Sequence, residues 1–184
     1  MSIVLNGTTG ITTPDITSTT STLGALTQAL DLGSTGQIQF PATQNASSNA
    51  NTLDDYEEGT WTPSIAGTSI VMAAGNDGSY TKIGRVVYFQ AFVTLSSGTP
   101  TGAQITGLPF VTPNSGNSNY AMSVNMFNNS GIPFPASKTY PTFYVNRNGS
   151  NIVMEASGSA QPSAGLTLTA PFSIYIAGYY IAAA

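Results

Sequence analysis

Residues 86–95 have the sequence VVYFQAFVTL, in which every second side chain is apolar. One face of this segment is uniformly apolar and is formed by Val87, Phe89, Ala91, Val93 and Leu95. The opposite face is mixed and is formed by Val86, Tyr88, Gln90, Phe92 and Thr94. A period of two residues indicates a β-strand with one buried face, so the segment is predicted to lie centrally in the fold.

The same alternation, interrupted by Gly, Pro, Asn and Ser, extends over residues 61–184. Further strands are predicted at Trp61–Ile65, Ser69–Ala73, Ser79–Ile83, Ala103–Thr106, Tyr120–Phe127, Thr142–Asn146, Ile152–Ala156, Leu166–Thr169 and Ser173–Ile181. Residues 96–102 and 113–119 are predicted loops, and Arg147-Asn148-Gly149 is a predicted hairpin turn. Many short strands with little helical periodicity predict an all-β fold, an antiparallel, jelly-roll-like β-sandwich.

The run at residues 172–181, FSIYIAGYYI, is apolar on both faces. On an outer strand such a run would promote aggregation unless another chain covered it. It therefore predicts a subunit interface that includes Ile174 and Ile176, and a central strand is the alternative.

Residues 1–60 differ in character, because they contain no Lys or Arg and are rich in Thr, Ser, Gly and Asn. Such a segment cannot build a core alone, yet short apolar clusters interrupt it. Leu23, Leu26 and Leu30 have helical spacing, and Ile38 and Phe40 follow. These positions predict contacts about the axis of a symmetric oligomer, so the chain divides into an extended segment, residues 1–60, and a β-sandwich domain, residues 61–184.

Composition disfavours several classes of function. Only 7% of the 184 residues are charged, against about 25% in a typical soluble domain. The four basic residues are scattered, which disfavours nucleic-acid binding. There is no Cys or His, so thiol chemistry and most zinc sites are excluded, and no cofactor is expected. No apolar run approaches the ~20 residues that span a bilayer, so membrane insertion is not expected.

The acidic cluster of Asp54, Asp55, Glu57 and Glu58 allows three interpretations. Asp55 and Glu57 could form a glycosidase pair, and the four carboxylates could bind calcium. Alternatively, Asp54 caps one helical turn that Gly59 ends. The last interpretation is preferred, so no catalytic residue and no metal site are assigned.

Three aromatic residues are candidate contacts for a glycan. Trp61 is the only tryptophan, and Tyr120 and Tyr140 belong to a chain rich in Tyr, Asn and Ser, as adaptable binding surfaces are. An indole face can stack on the apolar side of a sugar ring. Core packing for Trp61 and ordinary turn chemistry for the polar loops are the alternatives.

Residues 36–63, GQIQFPATQNASSNANTLDDYEEGTWTP, resemble a linker that recurs in tail-fibre and related virion proteins of tailed bacteriophages. The resemblance continues in GSYTKIGR at 78–85, in ITGLPF at 105–110 and in LNGTTGI at 5–11. It covers about two-thirds of the chain, and the long linker is its most specific part.

The resemblance implies a trimeric virion protein with an N-terminal stalk and a C-terminal β-sandwich head, as found in phages that include cyanobacterial ones. We expect a non-enzymatic short fibre or spike, made in the host bacterial cytoplasm and located on the virion surface. Its partners would be itself, other virion proteins and host glycans. A capsid-decorating head fibre or cement protein is the alternative. A capsule-degrading tailspike is a remote one, since no long β-helix repeat is present.

Overall fold

A computed structural model describes residues 36–40, 52–53, 55–114, 120–121, 123–130, 132–158 and 161–183. The chain divides into two compact units, Met1–Ile38 and Gln39–Ala184. All regular elements among the described residues are strands, which confirms the all-β class. They are β1 (Tyr56–Trp61), β2 (Ser64–Met72), β3 (Asp77–Ile83), β4 (Val86–Thr106), β5 (Tyr120–Ala121), β6 (Ser123–Ser130), β7 (Tyr140–Val145), β8 (Ile152–Gly158), β9 (Gln161–Gly165) and β10 (Phe172–Ile181).

The ten strands form one antiparallel hydrogen-bonded sheet in which β4 is the shared element. The first half of β4 pairs with β3 on one side and with β10 on the other, and β10 in turn pairs with β6. The second half of β4 pairs with β2 and, at residues 104 and 105, with β8. One long strand thus connects two halves of the sheet. The jelly-roll topology stays a prediction.

The predicted loop at residues 96–102 is wrong, because β4 continues through it while paired with β2. Gly98 has a φ of 123°, and a Cβ on it would lie 2.6 Å from the carbonyl oxygen of Ser69. Glycine therefore permits the close approach of the two strands at this point. The backbone of β2 supplies hydrogen bonds that the local sequence does not reveal.

The apolar face predicted for residues 86–95 lies in the core. Val87 and Val93 are fully buried, and so are Met154 on β8 and Val145 on β7. These side chains belong to one hydrophobic cluster that includes both halves of the sheet. The core therefore forms on one side of β4, and the other side of its first half faces outward.

Strand β10 lies between β4 and β6 and is a central strand of its half of the sheet. Ile174 and Ile176 are 0% and 2% exposed and pack in the core of the same subunit. The interface role predicted for these two side chains is therefore wrong, and the central-strand alternative applies. The opposite face of β10, with Tyr175 and Tyr179, is exposed.

The acidic cluster does not form the predicted helical turn, because residues 56–61 are strand β1 and pair with β3 over their whole length. Pairing with β3 satisfies the backbone groups on one edge of β1 and directs Trp61 into the core. The predicted boundary between residues 60 and 61 falls inside β1. The division into a stalk and a head stays a prediction.

A buried ion pair joins the residue before β1 to β3. The Lys82 ammonium contacts the Asp55 carboxylate, and both side chains are almost completely buried. The Lys82 Nζ atom also lies 5.2 Å from the centre of the Phe110 ring. Because each charge compensates the other in a medium of low polarity, the loss of one partner is costly.

Replacement of Asp55 by alanine is expected to lower the free energy of unfolding by about 3–5 kcal/mol, since Lys82 would lose its buried carboxylate partner. Urea denaturation measures this change. The exposed Asp77→Ala control should change the same free energy by less than about 0.5 kcal/mol. The double variant Asp55→Leu/Lys82→Met should recover most of the loss, and a double variant as unstable as Asp55→Ala would contradict this account.

Candidate functional site: an aromatic groove on the outer sheet face

The outward face of strands β1, β3, β4, β10 and β6 carries large aromatic side chains in cross-strand rows. In the first aromatic row, Tyr175 lies opposite Phe92 on β4 and opposite Phe127 on β6. The rings of Phe92 and Tyr175 are stacked, with centres 4.6 Å apart and planes inclined by 29°. The ring of Phe127 lies 6.2 Å from that of Tyr175. The three rings form a continuous aromatic surface across three strands.

The second aromatic row lies four residues further along β4 and β10. Tyr88 on β4 is opposite Tyr179 on β10, and their ring centres are 6.0 Å apart. Both side chains are about half exposed. The outer face therefore presents aromatic rings at two levels, with one row of residues between them.

The residues between the aromatic rows are small or polar: Ser79, Gln90, Ala177 and Asn125. The Gln90 side-chain amide donates a hydrogen bond of 3.2 Å to the Ser79 hydroxyl. Two depressions, of about 570 and 560 Å³, lie on this surface and share these four residues. We call the combined surface, bounded by the two aromatic rows, the outer groove.

The lining of the outer groove is nearly uncharged. Among its described lining residues, Asp77 carries the one carboxylate and no side chain is basic. Hydroxyl and amide groups of Thr60, Ser79, Gln90 and Asn125 supply hydrogen-bond donors and acceptors. Aromatic faces beside a few polar groups are the usual composition of a ligand-binding surface.

The predicted glycan contacts are not among the described residues that line the outer groove. Trp61 is 6% exposed and packs edge-on against Phe89, with ring centres 6.2 Å apart. Its role as a sugar platform is therefore wrong, and core packing applies. Tyr140 is exposed on β7 and does not line the groove. Tyr120 is the first residue of β5, and its side chain lies outside the described atoms. For both tyrosines, glycan contact stays a prediction.

The candidate metal-binding residues do not converge. Asp54 lies outside the described residues, and Asp55 is paired with Lys82. Glu57 and Glu58 point to opposite faces of β1, where they accept hydrogen bonds from Tyr80 and Tyr56, respectively. In the part of the chain that the structure describes, no three acidic side chains are close enough to hold a metal ion.

These hydrogen bonds affect the ionisation of the tyrosines. Burial and the hydrogen bond to Glu57 raise the pKa of Tyr80 to about 12. The hydrogen bond to Glu58 raises the pKa of Tyr56. Burial also raises the pKa of Tyr180, whose hydroxyl donates to the carbonyl of Phe110 at 3.1 Å. Neutral tyrosine is therefore the favoured form at all three positions.

The apolar positions assigned to trimer contacts fall in two groups. Leu23, Leu26 and Leu30 lie outside the described residues. Ile38 is 63% exposed, and Phe40 is half-buried, with its ring centre 6.1 Å from that of Tyr56.

No described residue belongs to a helix long and apolar enough to span a membrane.

The outer groove was not predicted, although its signal is in the sequence. The mixed face of residues 86–95 contains Tyr88 and Phe92, and the second apolar face of residues 172–181 contains Tyr175 and Tyr179. The register between β4 and β10 brings these two sets together.

The fold is similar to that of the Dettilon tailspike protein (gp208), with a TM-score of 0.50 and 16% sequence identity. The similarity covers 68% of this chain and 23% of the tailspike chain, so it concerns less than a quarter of that protein's length. No protein-family model and no curated protein match the sequence. The likeness therefore shows a fold that part of a tailspike protein also has.

The raised pKa of Tyr80 predicts a loss of stability in alkali. Below the ordinary pKa of 10.0 the folded and unfolded chains both keep the proton, whereas between 10.0 and about 12 mainly the unfolded chain releases it. The free energy of unfolding should therefore fall over this pH range, and Tyr80→Phe should make the fall less steep. Urea denaturation at several pH values measures the slope.

The variant Glu57→Gln serves as a partner control, because it removes the charge that Tyr80 faces but keeps the tyrosine. It should reduce the slope only in part, since burial is the larger cause of the shift. An unchanged slope in Tyr80→Phe would contradict the assignment.

Proposed function

We propose that the chain is a non-enzymatic structural protein of a bacteriophage particle, a trimeric short fibre or spike whose head contacts glycans of the host surface. The observation that carries the proposal is the fold likeness to part of a tailspike protein, since tailspikes are located on the surface of phage particles. The linker at residues 36–63, which resembles that of phage virion proteins, supports the same class of protein.

The distribution of carboxylates supports a binding role rather than capsule degradation. Glycoside hydrolysis generally uses two carboxylates on either side of the scissile bond. Asp77 is the one carboxylate among the described residues that line the outer groove. Asp55 is buried in an ion pair, so it cannot act on a substrate. An aromatic surface without such a pair suits attachment.

The N-terminal apolar positions support the trimer. Leu23, Leu26 and Leu30 have the spacing of one helical face. Three such faces can bury one another about a common axis. Three heads on one stalk would then bind a repetitive surface with an avidity far above the affinity of a single head.

The proposed trimer predicts a mass in solution of three times 19.0 kDa. Leu26→Asp should shift this mass towards that of the monomer, because a charge would enter the apolar contact, whereas Thr27→Asp, one residue away, should leave the trimer intact. Analytical ultracentrifugation at micromolar concentration measures the mass. A monomeric wild-type chain would contradict the trimer.

The proposed attachment role predicts that purified protein competes with the phage for host cells. Particles that lack the protein should adsorb poorly while their capsids keep the wild-type tolerance to heat. Adsorption assays and thermal inactivation of particles measure the two properties. Normal adsorption with heat-sensitive capsids would instead identify a capsid-decorating or cement protein.

A further inference from the structure

The outer groove exposes four large aromatic side chains to solvent. Phe127, Tyr88 and Tyr175 are 63%, 52% and 50% exposed, and Tyr179 is 46% exposed. Contiguous apolar surface in contact with water is unfavourable, and in soluble proteins it commonly marks an interaction site. These side chains alternate with buried ones on the same strands, so they contribute little to the core. Their position points to an external ligand.

The shape of the groove suits an elongated ligand that crosses the strands. Tyr175 and Tyr179 are four residues apart on β10, which places the two aromatic rows about 13 Å from each other along the strand. Ala177 lies between them and has only a methyl group, so the surface is low between two raised rows. The residues between the two aromatic rows form a central row, which continues across the strands from Ser79 to Asn125. A volume of about 570 Å³ is within the ~300–1,000 Å³ range of small-ligand sites.

The groove offers groups that complement both the flat side and the edge of a sugar ring. The C–H groups on the flat side of a pyranose carry partial positive charge, and the face of an aromatic ring carries partial negative charge. The hydroxyl groups at the edge of the sugar both donate and accept hydrogen bonds. Gln90, Asn125 and Ser79 offer both kinds of group between the aromatic rows.

The charged residues that line the groove indicate which class of glycan it can bind. No Lys or Arg is among the described residues that line the groove, and Asp77 is negative. An anionic sugar would lose water from its carboxylate without gaining a cationic partner and would be repelled by Asp77. We infer that the outer groove binds a neutral glycan chain, which packs against the aromatic rows at Tyr175 and Tyr179 and forms hydrogen bonds with Gln90 and Asn125. The inference rests on the proposed attachment function and adds the site and the ligand class.

The polar central row distinguishes this ligand from a second copy of the chain. A subunit interface that buried Gln90, Asn125 and Ser79 would need a matching set of polar partners at its centre. A glycan supplies hydroxyl groups along its whole length. The central row therefore favours the glycan as the occupant.

The test is the binding of the full-length protein to an array of neutral hexose oligosaccharides and of oligosaccharides that contain uronic or sialic acid. Wild-type protein should bind members of the neutral set and none of the acidic set. Tyr175→Ala and Tyr179→Ala should each weaken binding at least about tenfold, as truncation of a central aromatic contact does. Val71→Ala is the control, because Val71 is 52% exposed but lies on β2, outside the groove. This variant should bind as the wild type does.

Denaturation midpoints show whether each variant is folded. Gln90→Ala keeps both aromatic rows and provides a second test if a tyrosine variant does not fold. No binding to neutral glycans, a preference for acidic ones, or a loss in Val71→Ala alone would overturn the inference. So would dissociation of the oligomer in Tyr175→Ala without any change in glycan binding, which would identify the face as a contact between copies.

The cell-competition assay separates this inference from the proposed function. Wild-type protein that blocks phage adsorption, together with groove variants that block it equally well, overturns the groove assignment and leaves the attachment function intact. Wild-type protein that does not block adsorption fails the proposed function itself. Binding to neutral glycans that the groove variants lose would still support the groove assignment in that case.

Discussion

The burial of the apolar face of residues 86–95 is the interaction on which the β-sheet depends. Because side chains alternate along a strand, burial of Val87, Phe89 and Val93 directs Tyr88 and Phe92 to the opposite side. The register of the neighbouring strand then sets Tyr175 beside Phe92. A slip of one residue would exchange the two faces and expose the core, so the same energy that stabilises the sheet holds the outer rows in register.

Local patterns predicted the class of the fold and several strands, because a period of two is visible within a few residues. The strand at Val86–Leu95 and the turn at Asn148, where φ is 50°, follow from such patterns. The continuation of β4 through residues 96–102 does not, because Ser, Gly, Thr and Pro favour turns until β2 supplies pairing partners. In the acidic cluster, too, pairing with a distant strand decides the local structure. Its helical capping pattern is overridden by pairing with β3, which also buries Asp55 and Trp61.

The candidate site could be predicted only in part, since it depends on contacts between distant segments. Composition indicated an aromatic and polar binding surface. Sequence reasoning proposed Trp61 as a contact, but this side chain is buried in the core. It did not propose Tyr88 and Tyr179, whose rings lie side by side on paired strands. The apolar character of both faces of β10 predicted contact on both sides. One of those contacts is the core of the same subunit, and the other face is open in the described structure.

Strand alternation also separates two kinds of evolutionary constraint within the same segments. The inward residues of β4 and β10 are constrained by close packing, where a change of one methylene group is felt by the neighbours. The outward residues Tyr88, Gln90, Tyr175 and Ala177 contact the core little, so substitutions there are tolerated by the fold. A lineage could therefore exchange the chemistry of this surface residue by residue while the scaffold beneath it stays the same.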